Sequence, residues 1–140
     1  MSSRTRSVRH SLLLSSLCLI LAGCGGQPEI KAISSDERGL KELAQLYHDF
    51  TSKSKRGPKT LKELNIKGQQ DPMAMEMIKS GDLLVQWGAP LSPEGATADA
   101  VLAYVKTVPE QGGYVLMQDG KSIRMMTAEE FKTAPKAASR

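Results

Sequence analysis

Apolar and polar residues follow two different rhythms along this chain. From 34 to 53 the apolar positions return at intervals of three and four: Leu40, Leu43, Leu46, Tyr47 and Phe50. Lys41, Glu42, Gln45 and Asp49 fall mostly off that line. A period near 3.6 gathers such residues into one stripe, so the spacing predicts an amphipathic helix. Ser34 before it and Glu37 three places on have the spacing of a capping box, and Lys55-Arg56-Gly57-Pro58 predicts its end near Lys53. Two short helical pieces follow. Thr60-Leu61-Lys62-Glu63-Leu64 reads as a turn capped by Thr60 and Glu63. Asp71 and Pro72, as cap and first helical residue, open a helix through Met73, Met77 and Ile78 that stops at Gly81.

From residue 82 the rhythm shortens. Asp82–Trp87, Val101–Val105, Tyr114–Met117 and Ser122–Met126 are apolar runs of strand length, parted by Gly and Pro. Residues 88–99 form a loop, and Pro109 and Gly112-Gly113 break the chain again. Asp119-Gly120 predicts a two-residue type I′ hairpin, because both residues tolerate positive φ. Thr127 and Glu130 have capping-box spacing over a last helical turn, and residues 133–140 read as a frayed tail. The fold class expected is α+β, with the 34–53 helix packed on a small antiparallel sheet of about four strands.

A third pattern stands at the start. Residues 1–10 carry Arg4, Arg6, Arg9 and His10 and no acid, and residues 11–22 are built of Ser, Leu, Cys, Ile and Ala. A basic stretch, a short apolar stretch and small residues describe a signal peptide. The apolar stretch falls short of the ~20 residues that a spanning helix needs. It ends in Leu21-Ala22-Gly23-Cys24. This order resembles the lipobox signal of bacterial lipoproteins. The resemblance implies that the chain is cut before Cys24 and that the Cys24 thiolate carries acyl chains, which hold the protein on a lipid bilayer. Gly25 in place of Asp implies, by the same resemblance, the outer rather than the inner membrane. The division expected is therefore a signal peptide over 1–23, a lipidated N-terminus and flexible tether over 24–33, a domain over 34–132 and the tail over 133–140.

Cleavage there changes the composition. The whole chain has 19 basic residues against 15 acids, but three of the basic ones lie in residues 1–10 and no acid precedes Cys24. The exported part is thus close to neutral, which argues against a nucleic-acid partner. Cys18 leaves with the signal and Cys24 is modified, so no thiol remains for a disulfide or a metal. A domain of this size has to rest on its apolar core.

The later part of the chain resembles a second family. A long helix, small turns and an antiparallel sheet is the layout of the pseudopilin-like heads related to type II secretion pilins. Gly57-Pro58-Lys59-Thr60-Leu61-Lys62-Glu63-Leu64 is similar to a Gly-Pro-x-Thr/Ser-Leu-x-x-Leu segment of such heads. Gly112 to Gly120 is similar to a C-terminal segment with a His-x9-Asp-Gly pattern, matched at Asp119-Gly120 but with Pro109 at the His position. The prepilin-peptidase site and long apolar stem of a true pilin are replaced here by the lipobox. The resemblance implies a displayed structural or interaction module with a protein partner in the envelope, and no cofactor.

Two other functions are read from the residues. Met73, Met75 and Met77 offer soft thioethers, and soft ligands suit Cu(I), although on a helix Met75 points away from the other two. Core filling is the ordinary use of such methionines. A small hydrolase-like enzyme would draw on Asp36, Glu37, His48, Asp49, Asp82 or Asp119, but none has nucleophile or metal spacing in the sequence. Lys53, Lys55, Arg56 and Lys59 form a basic knot whose functional reading is contact with anionic lipid or a phosphate, but which, short, without interleaved aromatics and with Glu63 close by, reads as a solvated loop.

Overall fold

The computed structural model describes residues 33–64, 72–95 and 97–139. The expected signal peptide, with Leu21, Ala22 and Gly23, the expected lipidation site Cys24, all of the expected tether except Ile33, and the expected cap Asp71 lie outside them. Helix α1 is Ser35–Ser54. Ser34 is extended, and its hydroxyl oxygen accepts from the Glu37 N–H at 3.1 Å. Asp36 and Glu37 sit in the first turn and Lys53 in the last, each facing the favourable end of the helix dipole. The Glu37 carboxylate pairs with Lys41 at 2.7 Å, one helical turn on. Leu40, Leu43 and Tyr47 are fully buried.

Helices α2 (Leu61–Leu64) and α3 (Met73–Ser80) follow. The box expected at Thr60 is rearranged. The Glu63 carboxylate reaches back past Thr60, accepting from the Lys59 N–H at 2.9 Å and from two Arg56 guanidinium nitrogens at 2.8 and 3.1 Å. The Arg56 bonds, and after them the Lys59 N–H, pull the Glu63 pKa down to about 2. Pro72 takes the cap position of α3 rather than the first helical one, and it offers no side-chain bond. The Ala74 N–H of that first turn donates instead to Glu42 of α1 at 3.1 Å.

The sheet has four antiparallel strands in chain order: β1 (Leu83–Val85), β2 (Val101–Val105), β3 (Gly113–Met117) and β4 (Ile123–Met126). The α+β class and the four-strand antiparallel sheet are as expected. β1 is shorter than its apolar run, since Trp87 lies in a turn beyond it. The pairings Leu84↔Tyr104, Tyr104↔Val115 and Val115↔Arg124 put these residues on one face. Along β2 the consecutive residues Val101, Leu102 and Ala103 are all buried, so both sides of this strand are covered. The buried core joins Leu40, Leu43 and Tyr47 of α1 with Leu83, Leu102, Val115 and Leu116 of the strands.

Helix α4 (Val108–Gln111) forms where a break was expected. Pro109 stands in its first turn, where a missing N–H costs nothing. Helix α5 (Ala128–Thr133) carries the full capping box: Thr127 Oγ1 accepts from the Glu130 N–H, and the Glu130 carboxylate accepts from the Thr127 N–H. Phe131 of α5 packs on Tyr104 with ring centroids 4.6 Å apart.

Two expectations need correction. Residues 133–140 were expected to fray, yet Lys136 bridges Val101 in parallel and Ala137 is buried. The Val101 N–H donates to the Pro135 carbonyl at 2.8 Å and the Ala137 N–H to the Val101 carbonyl at 2.9 Å. Lys136 Nζ donates to the Phe131 and Ala134 carbonyls at 2.5 and 2.7 Å, satisfying groups at the end of α5. Small and polar side chains carry no periodic signal, but backbone bonds need none. The type I′ turn at Asp119-Gly120 is also absent. Gly120 has φ 71° but Asp119 does not enter the positive region, and residues 118–122 all lie between the strands. Asp119 Oδ1 accepts from the Lys121 and Ser122 N–H groups at 2.8 Å each, and Oδ2 takes the Ser122 hydroxyl. This forward reach of the carboxylate selects an Asx-type loop over the tighter turn.

Candidate functional site

The end of α1 makes one wall of a cleft of ≈ 390 Å³, lined there by His48, Thr51, Ser52 and Lys55. The facing wall is Pro90, Leu91 and Pro93, with Asp119 and Lys121 of the β3–β4 loop at the end. The loop and the proline-bearing wall are stitched by Gln118, the buried polar residue at their junction. Its Nε2 donates to the Pro90 carbonyl at 2.8 Å, and its backbone carbonyl accepts from the Ser92 N–H at 2.9 Å. Gly120 stands against Leu91: a Cβ at that position would come to 2.9 Å from a Leu91 methyl. The turn pair read from the sequence therefore serves as a support for the cleft wall.

Past Lys55 the chain leaving α1 is clamped. Gly57 and Pro58 are buried, and the Gly88 N–H donates to the Pro58 carbonyl at 2.7 Å. A Cβ on Gly57 would come to 2.7 Å from the Ala89 carbonyl carbon and would overlap its oxygen. The Tyr47 hydroxyl donates to that same Ala89 carbonyl at 2.7 Å, and burial pushes the Tyr47 phenol well above its ordinary pKa. The basic knot of the sequence thus encloses a buried Gly-Pro hinge, while Lys53, Lys55 and Lys59 around it are exposed.

His48 and Asp119, scattered as candidate acid and base in the sequence, meet in this cleft. They are not joined as a catalytic pair. The Asp119 oxygens are taken up by Lys121 and Ser122, and the Ser52 hydroxyl donates to the Asp49 carbonyl at 2.9 Å. Burial of Asp119 works against its charge, but the Ser122 hydroxyl and the two N–H bonds outweigh it and keep its pKa below the usual value. The other candidates stay apart: Asp49 accepts from Gln45 at 2.8 Å, Asp82 from the Ser80 hydroxyl at 2.6 Å, and Asp36 and Glu37 hold the start of α1. Among the described residues no three His, Cys, Asp or Glu side chains group as metal ligands.

The three methionines divide. Met75 is 2% exposed and belongs to the core, while Met73 and Met77 are half-buried. The Met77 sulfur lies against Gly39, where α1 has no side chain to hold α3 off. Core packing accounts for Met75 and close helix approach for Met77. Gln118 and Thr51 were missed by sequence reasoning. An isolated Gln after a strand and a Thr in a helix carry no signal of burial until the chain is folded. No helix among the described residues is long and apolar enough to cross a membrane. No family model, curated protein or solved structure matches the chain.

Proposed function

We propose that this chain is an exported lipoprotein whose acylated Cys24 holds a pilin-like head on the bilayer, in a structural or protein-interaction role. One observation carries the reading: Arg4, Arg6 and Arg9, an apolar run, and Leu21-Ala22-Gly23-Cys24 stand in that order ahead of a folded α+β unit. Each acyl CH2 placed in lipid adds about 0.8 kcal/mol, so two or three chains anchor a near-neutral domain without a spanning helix. Gly25 directs the reading to the outer membrane, with the head in the periplasm or at the cell surface and a protein partner in the envelope. The head is α1 laid on the sheet, with the Gly57–Leu64 segment as the hinge between them. The burial of Gly57, Pro58 and Leu64 supports a scaffold role for that segment.

Mass spectrometry of the protein purified from membranes tests the anchor. The expected N-terminal fragment begins at Cys24 and carries fatty acid. An uncut N-terminus, or a trimmed one without lipid, removes both location and role. In fractionation, Cys24→Ala is expected to lose mature lipidated protein, and an unchanged mature membrane form would refute the anchor.

A further inference from the structure

The cleft at the end of α1 has a polarity that a scaffold does not need. Lys55 closes α1 in the left-handed region at φ 56°, where it is the sole non-glycine residue among those described. That position is ordinarily glycine, and a side chain there costs about 1 kcal/mol. The helix dipole favours a cation at this end but does not require it on the strained residue. Lys121 lines the cleft from the β3–β4 loop, its backbone fixed because its N–H donates to Asp119. Neither lysine forms an ion pair among the described residues. The single acid of the cleft, Asp119, spends its oxygens on its own loop. Thr51 also lines the α1 wall of the cleft, although its Oγ1 is itself buried, with no hydrogen-bond partner. Leu91 and the flanking prolines supply an apolar surface opposite, and the volume falls in the range of small-molecule sites, about 300–1,000 Å³.

We propose that this cleft binds a phosphate-type anion carried on an apolar body, the anion between Lys55 and Lys121 and the body against Leu91. Lysine ammonium groups meet phosphate as point charges from separate directions, which suits two lysines on different segments. Such a group occurs on a lipid headgroup and on a soluble phosphate ester, and the test distinguishes them.

The experiment uses the full-length chain in a nonionic detergent, titrated with inorganic phosphate, phenyl phosphate and short-chain phosphatidylglycerol while backbone amide shifts are followed. Phenyl phosphate or the phosphatidylglycerol is expected to move the amides of Thr51, Lys55, Leu91 and Lys121 along one saturable curve. Inorganic phosphate is expected to bind about tenfold more weakly, for want of an apolar body. Lys55→Gly and Lys121→Gln are each expected to weaken binding about tenfold, the size of one charge-assisted bond. Lys55→Gly should meanwhile raise the melting temperature, because it relieves the left-handed strain. That opposition of sign separates a ligand-binding lysine from a structural cap. Lys53→Gln, exposed and outside the cleft, should leave affinity within about twofold. Tighter binding of phosphatidylglycerol assigns the ligand to a headgroup, and tighter binding of phenyl phosphate to a soluble ester. Binding by neither, equal affinity for inorganic phosphate, or an equal loss in Lys53→Gln would each overturn the proposal.

Discussion

The two halves of the described domain are held by bonds of different reach. Around α1 the deciding contacts join residues far apart in sequence: Tyr47 to Ala89, separated by 42 positions, and Ala74 to Glu42, separated by 32. From β3 onward most side-chain bonds are short: Asp119 to Ser122, Thr127 to Glu130, and Lys136 to Phe131 lie within three to five positions, with Gln118 to Pro90, 28 positions apart, as a long exception. A short bond can form whenever its own turn forms. A long one requires the whole chain to have returned to the right place, so its strength is available only to the cooperative native state. The first half should therefore govern global stability and the second local order.

The sharpest way to break this contrast is Gly57→Ala. The added carbon meets the Ala89 backbone, which cannot rotate away as a side chain could. A loss of about 3 kcal/mol is expected, read as a fall in the denaturation midpoint. A variant as stable as the parent would mean that the hinge is not clamped. Next comes Tyr47→Phe, which leaves the Ala89 carbonyl without its buried donor. About 2 kcal/mol should be lost, with faster exchange of amides throughout the core rather than near residue 47 alone.

A matched pair sharpens the comparison. Glu42→Ala and Thr127→Ala each remove a bond to a helix N-terminus, worth about 1 kcal/mol. The remote cap should lower the global unfolding midpoint, whereas loss of the local one should chiefly release amide protons at the start of α5. If hydrogen exchange shows the two variants alike, reach does not matter here.

The smallest effect is expected from acid. Glu63, held down to about 2 by Arg56 and Lys59, has a folded pKa below its ordinary 4.5. Glu130, held by the Thr127 N–H and hydroxyl, and Asp119, held by Ser122 and Lys121 against its burial, are lowered as well. A lowered carboxyl pKa contributes stability that is complete above the unfolded value and is lost as pH falls through the folded one. All three carboxylates are held by local bonds, and the Tyr47 phenol stays neutral over this range. Acidification from about pH 5 towards 2 should thus release amides at Lys59, Lys121 and Thr127 before the core opens. Protection lost first around Tyr47 and Ala89 would reverse the order.

What could be read from the residues alone follows the same division. Ser34 before the Leu40–Tyr47 stripe, Thr127 with Glu130, and the apolar runs of β2 and β3 report demands met within a few residues, and they fell where the pattern put them. Errors arose where a local demand had two local answers. Asp119 could take positive φ or reach forward to Ser122, and it does the latter. Glu63 could bond Thr60 or Lys59, and Arg56 draws it to Lys59. The cleft was legible only in pieces, since His48, Thr51, Leu91 and Lys121 share no spacing that connects them.

By itself the sequence determined the class of fold, most helix starts, the strand runs and the expectation of an export signal, because periodicity and capping depend on neighbours already tied together. Tertiary structure alone decided that Glu42 would cap α3, that Gln118 would hold the cleft wall, that Lys136 would close α5 while the tail paired with Val101, and that Gly57 had to lack a side chain. Each of these turns on which distant backbone atom arrives within about 3 Å, and no residue carries that information until the chain has closed.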